Sequence, residues 1–373
     1  MKKILTPFCF ILVTAAFAQS KKMDFEKYEP TSTLVVPEHK ITRSKFPFID
    51  VHNHQFSMPG QNITELLKDM DQLNMKIMVN LSGRSYRSVN GQFGLQDTKY
   101  LIDAIKHVRA TTPDRVIQFT NVSFIGVGEP GWAETAVKEL EADVKAGANG
   151  LKVYKNLGFD FTDNKGKLLR IDDPRLDIVW KKCGELGIPV LIHTADPKSF
   201  WDPMDDKNER WLELETHPDR KRSNTDPAPF EDLIQQQHNI IRKNPKTIFI
   251  AAHFGWYANN LAKLGTLLDS FPNMNVEFGA VIAELGRQPR MAKKFFEKYQ
   301  DRILFGKDSW VPSEYATYFR VLETEDEYFP YHKKYHAFWK MYGMGLSDAV
   351  LKKIYYKNAL RLIPNLNKSL FPE

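Results

Sequence analysis

Four of the ten histidines close short apolar runs, which is where a side chain can be held firmly yet still reach a ligand. His52 and His54 end Phe48-Ile-Asp-Val-His-Asn-His54, His193 ends Pro189-Val-Leu-Ile-His193, and His253 ends Phe249-Ile-Ala-Ala-His253. Asp308 ends a similar run, Arg302-Ile-Leu-Phe-Gly-Lys-Asp308. Along a strand, residues i and i+2 point to the same side, so His52 and His54 face one space and form half of a metal site. Imidazole and carboxylate donors without thiolate suit zinc, with manganese or iron as alternatives. Each histidine taken singly has a plainer reading, that of a hydrogen-bonded core residue. Five ligand-type residues that all end apolar runs make coincidence a poor account. The remaining histidines, among them His39, His107, His217, His238, His332 and His336, fall in loop or helix patterns and are expected at the surface.

The elements that must position these residues alternate regularly. Strand candidates are 48–54, 76–83, 116–124, 150–156, 189–195, 247–255, 275–280 and 302–310, each nearly continuously apolar, as strands buried on both faces are. Helical spacing lies between them at Ile63, Leu66, Leu67 and Met70, at Ala136, Leu140 and Val144, and over 176–186, 233–241, 261–268 and 291–299. Eight strands alternating with helices predict an α/β fold, a (β/α)₈ TIM barrel with its active site at the strands' C-terminal ends. No glycine-rich phosphate loop follows the first strand, which disfavours an open doubly wound sheet. Ser347 is placed to cap a closing helix carrying Leu351, Ile354 and Leu360.

Two stretches fall outside the alternation. Residues 196–229 follow the fifth strand and read as a long lid loop. That lid offers Trp201 and Trp211 for stacking and Arg210, Arg220 and Arg222 for an anionic group, although all could equally be surface residues. Residues 311–345, rich in Tyr, His and Trp, are expected to elaborate the last barrel unit.

The site pattern resembles that of the amidohydrolase superfamily: His-x-His after strand one, single histidines after strands five and six, and an aspartate after strand eight. The segment Ile354-Tyr-Tyr-Lys-Asn-Ala-Leu-Arg-Leu362 is similar to the closing helix of the subgroup that includes aminocarboxymuconate semialdehyde decarboxylase. The resemblance spans about residues 46–365. It implies that His52, His54, His193 and Asp308 bind one divalent metal, and that Asp308 also touches the bound water. His253 would then act beside the metal rather than on it. The subgroup commonly carries Gly-Thr-Asp before the last ligand, whereas this chain has Gly306-Lys307-Asp308, a departure that bears on local hydrogen bonding. Lys152, in the fourth strand, stands where binuclear amidohydrolases carry a carboxylated lysine bridging a second metal. A lysine in an apolar strand is costly unless it is paired or modified, so an ion pair with a carboxylate, or a cation that binds substrate, is the other reading. Glu277, at the seventh strand, either orients a ligand or contacts substrate, with a salt bridge at the barrel rim as the plainer role.

The implied activity is hydrolysis of an amide, ester or lactone in a small molecule. Non-oxidative decarboxylation of a carboxylated ring or enal is the alternative, and a catalytically silent binding barrel is a third class. In this reading Asp308 takes a proton from water, and His253 stabilises charge on the carbonyl oxygen or protonates the leaving group.

Composition narrows the rest. The chain is 42% hydrophobic and 26% charged, which excludes the disordered and collagenous classes. Lys2 and Lys3, an apolar run from Ile4 to Phe17 and Ala16-Phe17-Ala18 make a signal peptide over residues 1–18, with cleavage before Gln19 and export to the periplasm or medium. Residues 19–45 read as an N-terminal arm and 46–373 as the barrel. After cleavage only Cys183 remains, so an intramolecular disulfide and cysteine-rich zinc sites are both excluded. The formal charge of +6 is scattered, without a basic stripe, so no nucleic-acid partner is expected. Nor is membrane insertion expected after cleavage. Homo-oligomerisation stays open.

Overall fold

The computed structural model describes residues 23–24, 27–89 and 92–372. The expected leader, 1–18, lies outside them. Residues 1–35 and Val36–Glu373 form two separate units. The described part of the first carries no strand. The second unit begins inside the expected arm: Ser44 N–H bonds to the Leu73 carbonyl (3.2 Å), and His39 N–H to Asp326 Oδ2 (2.8 Å).

The strands are β1 (Phe48–Asn53), β2 (Met75–Asn80), β3 (Arg87–Val89), β4 (Gln92–Gly94), β5 (Val116–Gln118), β6 (Thr120–Asn121), β7 (Leu151–Val153), β8 (Val190–Ile192), β9 (Phe249–Ala251), β10 (Met274–Glu277) and β11 (Ile303–Leu304). Strands β3 and β4 make a small antiparallel hairpin beyond the second barrel strand, which the sequence pattern did not suggest. All the others run parallel, in the orders β1-β2-β5 and β6-β7-β8-β9-β10-β11. Strands β5 and β6 are two pieces of one barrel strand, and Phe119 N–H between them bonds to the Asn80 carbonyl (2.9 Å). The circle closes where Val51 N–H meets the Phe305 carbonyl (2.9 Å) and Asn53 bridges Asp308 in parallel. The fold is thus the expected TIM barrel. Its strands are shorter than the apolar runs because each run's last residues leave the sheet to carry the site.

The helices follow from apolar spacing and caps. Ile63–Leu73 buries Ile63, Leu66, Met70 and Leu73 along one stripe; Asn62 caps it by accepting Glu65 N–H, and Asn74 ends it in the left-handed region. Helices also occupy Trp132–Ala146, Asp177–Leu186, Phe230–Lys243, Leu261–Ser270 and Pro289–Lys298, over the periodic segments. Thr98–Thr111 is a helix not anticipated from the sequence, although Leu101, Ala104, Ile105 and Val108 keep the required spacing and Asp97 caps it. Among the described residues no helix is long and apolar enough to cross a membrane.

The closing segment seals the barrel seam. It runs from Asp348 to Leu362, with the expected Ser347 cap and a π-turn over Lys353–Lys357. Ile354 sits in that wide turn, and its carbonyl accepts Phe305 N–H from the end of β11 (3.1 Å). Asn358 Nδ2 donates to the Ile303 carbonyl (2.7 Å), which accounts for an amide in an otherwise apolar face. Phe48 packs on Phe305 with ring centroids 4.8 Å apart, and Tyr355 lies 5.7 Å from Phe305.

Candidate metal centre

The ends of β1 and β11 bring the first three candidate ligands together. His52 Nε2 lies 3.3 Å from His54 Nε2 and 3.3 Å from Asp308 Oδ1, and His54 Nε2 lies 3.5 Å from the same oxygen. Asp308 holds this position with a left-handed backbone, φ 86°, while its N–H donates to the His52 carbonyl (2.6 Å). These three ligand atoms make one compact cluster, and His52, His253 and Glu277 make a second. His193 falls outside both and stands against His253, with His193 Nδ1 3.4 Å from His253 Nε2.

Hydrogen bonds on the far side of each ring define which nitrogen faces inward. His52 Nδ1–H donates to Glu277 Oε1 (2.8 Å), His253 Nδ1–H to the Gly279 carbonyl (2.6 Å) and His193 Nε2–H to the Ala195 carbonyl (3.1 Å). His54 Nδ1 pairs with Ser82 Oγ (2.7 Å), which is bonded in turn to Tyr154 Oη (2.8 Å). Carbonyls and carboxylates only accept, so these outer nitrogens hold a proton, and in the neutral rings the inward nitrogens of His52, His253 and His193 carry the lone pairs. Two of these lone pairs, on His193 and His253, face each other, an arrangement that a proton or a cation stabilises. Outer hydrogen bonds that fix ring and tautomer are the usual support of metal-binding histidines. The donor set therefore fits a divalent metal.

Glu277 is fully buried rather than at the rim, and the partner of its carboxylate is the candidate ligand His52. Its Oε1 also accepts His253 N–H (2.9 Å), and its Oε2 accepts Gly279 N–H (2.6 Å). Burial favours the neutral acid, but the charge and hydrogen bond of His52 outweigh it and hold Glu277 at about 2. Gly306 leaves the room: a Cβ there would fall onto Glu277 Oε2 and 2.9 Å from His52 Cβ. Burial keeps His54 and His193 well below the usual histidine range, in the neutral form that ligates.

His253 owes its direction to strain. His253, Phe254, Gly255 and Trp256 all have φ between 55° and 57°, a left-handed turn directly after β9. Three of the four are not glycine, and each such residue costs roughly 1–2 kcal/mol. Phe254 packs against Phe295 and Phe296 (5.7 Å each), and the two bonds of His253 to Glu277 and Gly279 hold the turn. Trp256 thereby reaches the site, its ring 4.6 Å from His253 and 5.9 Å from His193. Nothing in the spacing marked Trp256.

Lys152 lies in β7 opposite Leu191, fully buried, and its Nζ has no hydrogen-bond partner. The expected alternative of a direct ion pair is absent. Burial lowers the ammonium to about 8, against the pull of Asp308 and Glu277. Lys155 points elsewhere and pairs with Asp196 (2.6 Å).

The lid residues meet other fates. Arg210, expected at a substrate anion, is enclosed: Nη1 bonds Glu213 Oε2 (2.8 Å) and the His336 carbonyl (2.6 Å), and Nη2 bonds Glu284 Oε1 (2.5 Å). Trp201 donates from Nε1 to the Ala228 carbonyl (2.8 Å) and packs on Phe230, and Trp211 is half-buried at the start of the helix Trp211–Thr216. The stacking surface lies on the opposite side of the mouth. Phe56 stacks on His54 (5.5 Å, 6°), Tyr154 stacks on it at 5.7 Å, and Tyr86 and Phe93 continue the wall, with Phe56 and Tyr86 exposed. His238, expected at the surface, is buried instead.

The Amidohydrolase family model matches residues 49–364. The chain belongs to the amidohydrolase family, and is an enzyme of it. Solved structures of the same fold include an uncharacterised TIM-barrel protein from Bordetella bronchiseptica, 13% identical, TM-score 0.54, covering 85% of this chain and 98% of that one. A 2,6-dihydroxybenzoate decarboxylase from Rhizobium is 16% identical, with TM-score 0.50, over 85% and 98% of the two chains. A dihydroxybenzoic acid decarboxylase from a Polaromonas species, solved with manganese and 2-nitroresorcinol, is 15% identical, with TM-score 0.51, over 85% and 96%. No curated protein matches the sequence.

Proposed function

We propose that this enzyme is a metal-dependent hydrolase that cleaves an amide, ester or lactone bond in a small molecule, with His52, His54, His193 and Asp308 as ligands. The observation that carries this is the convergence of His52 Nε2, His54 Nε2 and Asp308 Oδ1 within 3.3–3.5 Å, beside two further inward-facing imidazoles. A divalent ion, zinc first and manganese or iron as alternatives, would supply Lewis acidity and activate water near neutral pH. Asp308, held well below the usual carboxylate range by His52 against the desolvation of its site, takes the proton of the attacking water. His253 Nε2, left as the acceptor of the ring because Nδ1–H is committed to the Gly279 carbonyl, would receive the proton that Asp308 takes from water and pass it to the leaving atom.

Non-oxidative decarboxylation is the second reading. Two of the similar structures are named dihydroxybenzoate decarboxylases, and the exposed wall of Phe56 and Tyr86 beside His54 suits a flat ring. A silent binding barrel fits poorly with a strained His253 turn, because strain of this kind is retained where it serves a site. The leader-like N-terminus supports action outside the cytoplasm, which N-terminal sequencing of the exported protein would test.

The experiment is metal analysis followed by a substrate screen. Purified enzyme is expected to hold about one tightly bound divalent ion, and the double variant His52→Ala, His54→Ala to hold none. Metal-loaded enzyme would then be offered ester, lactone, amide and aromatic-acid panels, scoring new carboxylate against released CO₂. Full metal occupancy in the double variant would sink the site, and CO₂ release alone would replace hydrolysis with decarboxylation.

A further inference from the structure

Asp308 has the least comfortable backbone among the four ligands: it is not glycine, yet its φ is 86°. Such a conformation persists only where the surroundings over-determine it. The residue before it supplies the restraint. Lys307 is 2% exposed, and its ammonium turns back over the chain toward Ser309. Nζ donates to the Ser309 carbonyl (2.8 Å), to Ser309 Oγ (3.2 Å) and to Glu314 Oε2 (2.5 Å). The side chain of 307 is thus bonded to residue 309, on the other side of Asp308. Residues 307–309 form a closed loop with the aspartate at its apex.

Both faces of the loop are tied to the barrel. Lys307 N–H donates to Asp50 Oδ1 (3.2 Å), and Asp50 also accepts His52 N–H (3.0 Å) and the Tyr315 hydroxyl (2.6 Å). Asp308 N–H donates to the His52 carbonyl (2.6 Å). Glu314, which receives the ammonium, opens the helix Tyr315–Glu323, the same helix that brings Tyr315 to Asp50. His332 Nε2 approaches Glu314 Oε2 at 3.4 Å on its far side.

We infer that Lys307 is a positioning residue for the metal centre, clamping Asp308 in its left-handed conformation through Ser309 and Glu314 so that the carboxylate stays on His52 and His54. This rests on the reading of Asp308 as a metal ligand. A shorter or uncharged side chain at 307 cannot reach the Ser309 carbonyl and Glu314 together as a cation, so Asp308 would relax toward ordinary backbone conformations and withdraw its oxygen. The clamp is electrostatic and directional, and arginine is the one replacement able to make bonds of the same kind.

The test uses the full mature enzyme, with Zn²⁺ as the probe and a chromogenic chelator as competitor, well below the melting temperature of the metal-free protein. Lys307→Met is expected to weaken Zn²⁺ binding about 10–100-fold, the range seen when groups supporting a ligand are lost, with Lys307→Arg recovering most of it. Glu314→Gln is expected to weaken binding in the same direction, and it decides the matter if Lys307→Met does not fold. A lower melting temperature with Zn²⁺ affinity within twofold of the parent would overturn the inference and leave Lys307 a packing residue. His52→Ala separates the two claims. If His52→Ala loses Zn²⁺ while Lys307→Met keeps it, only the clamp fails. If the parent binds no Zn²⁺, or His52→Ala binds it as tightly, the metal reading fails and takes the clamp with it.

Discussion

Glu277 and His52, 225 positions apart in the chain, meet at 2.8 Å with both side chains wholly enclosed. The carboxylate also accepts the backbone N–H of His253 at 2.9 Å. One acid therefore sets the ring of a ligand and the start of the strained turn that carries the proposed acid–base residue. Its charge is tolerated because three hydrogen bonds and a cationic neighbour compensate the burial.

Replacing that acid by its amide is the direct probe. Glu277→Gln keeps the volume but removes the negative charge and one acceptor. Metal affinity is expected to fall about 10–100-fold, because His52 loses the partner that fixes its tautomer and raises its basicity. Titration with a competing chelator measures this. Unchanged affinity would mean that the ring is oriented by packing alone.

His253→Asn removes the basic nitrogen but keeps size and polarity. Turnover is expected to drop by about 10²- to 10⁴-fold with fold and metal content intact. Metal content and steady-state rates should be taken together once a substrate is in hand. A variant without metal would make His253 a ligand, and full activity would make it structural.

Lys152 decides nuclearity. Its buried, unpartnered amine could take up CO₂ with loss of a proton, giving a carbamate whose oxygens hold a second ion. Metal content would then approach about two per chain and fall to about one in Lys152→Ala. A plain ammonium in density at high resolution, with one metal, supports the mononuclear site.

The pH dependence of stability should carry a mark of His238. Burial pushes this imidazole down to about 4, whereas in the unfolded chain it titrates near 6.5. The unfolded state therefore binds the extra proton first as pH falls. Stability contributed by neutral His238 is complete above about pH 6.5 and is lost as pH drops through 4, about 2 kcal/mol being gone at pH 5. Melting temperatures at pH 8 and pH 5 should differ by about 2–3 °C less in His238→Gln than in the parent. An identical difference in the two proteins would assign the acid sensitivity elsewhere.

Much of the barrel and part of the centre were legible before any coordinates. Parallel strands buried on both faces must be continuously apolar, so their positions stood out, and polar residues at their ends marked one face of the fold. The i, i+2 rule paired His52 with His54 without tertiary information. The closing helix was equally plain, from its cap and apolar spacing. The helix Thr98–Thr111 carries the same signals, an Asp97 cap and buried Leu101, Ala104, Ile105 and Val108 at helical spacing.

What the linear pattern could not decide depends on which residues meet through space. Lys152 and Arg210 are both cations near candidate sites. Only packing shows that one is left without a partner while the other is enclosed by Glu213 and Glu284. Glu277 offers no spacing signal, because its partner lies at the far end of the barrel sequence and they adjoin only after the circle closes. The turn at His253 is likewise invisible locally: three of its four residues disfavour that backbone, and contacts from β10 and the helix Pro289–Lys298 impose it. Sequence by itself determined the alternation of elements and the residue types at the barrel mouth, since both follow from local periodicity. Tertiary structure alone decided which nitrogen each histidine presents and which carboxylate supports it, because those are properties of pairs that closure brings into contact.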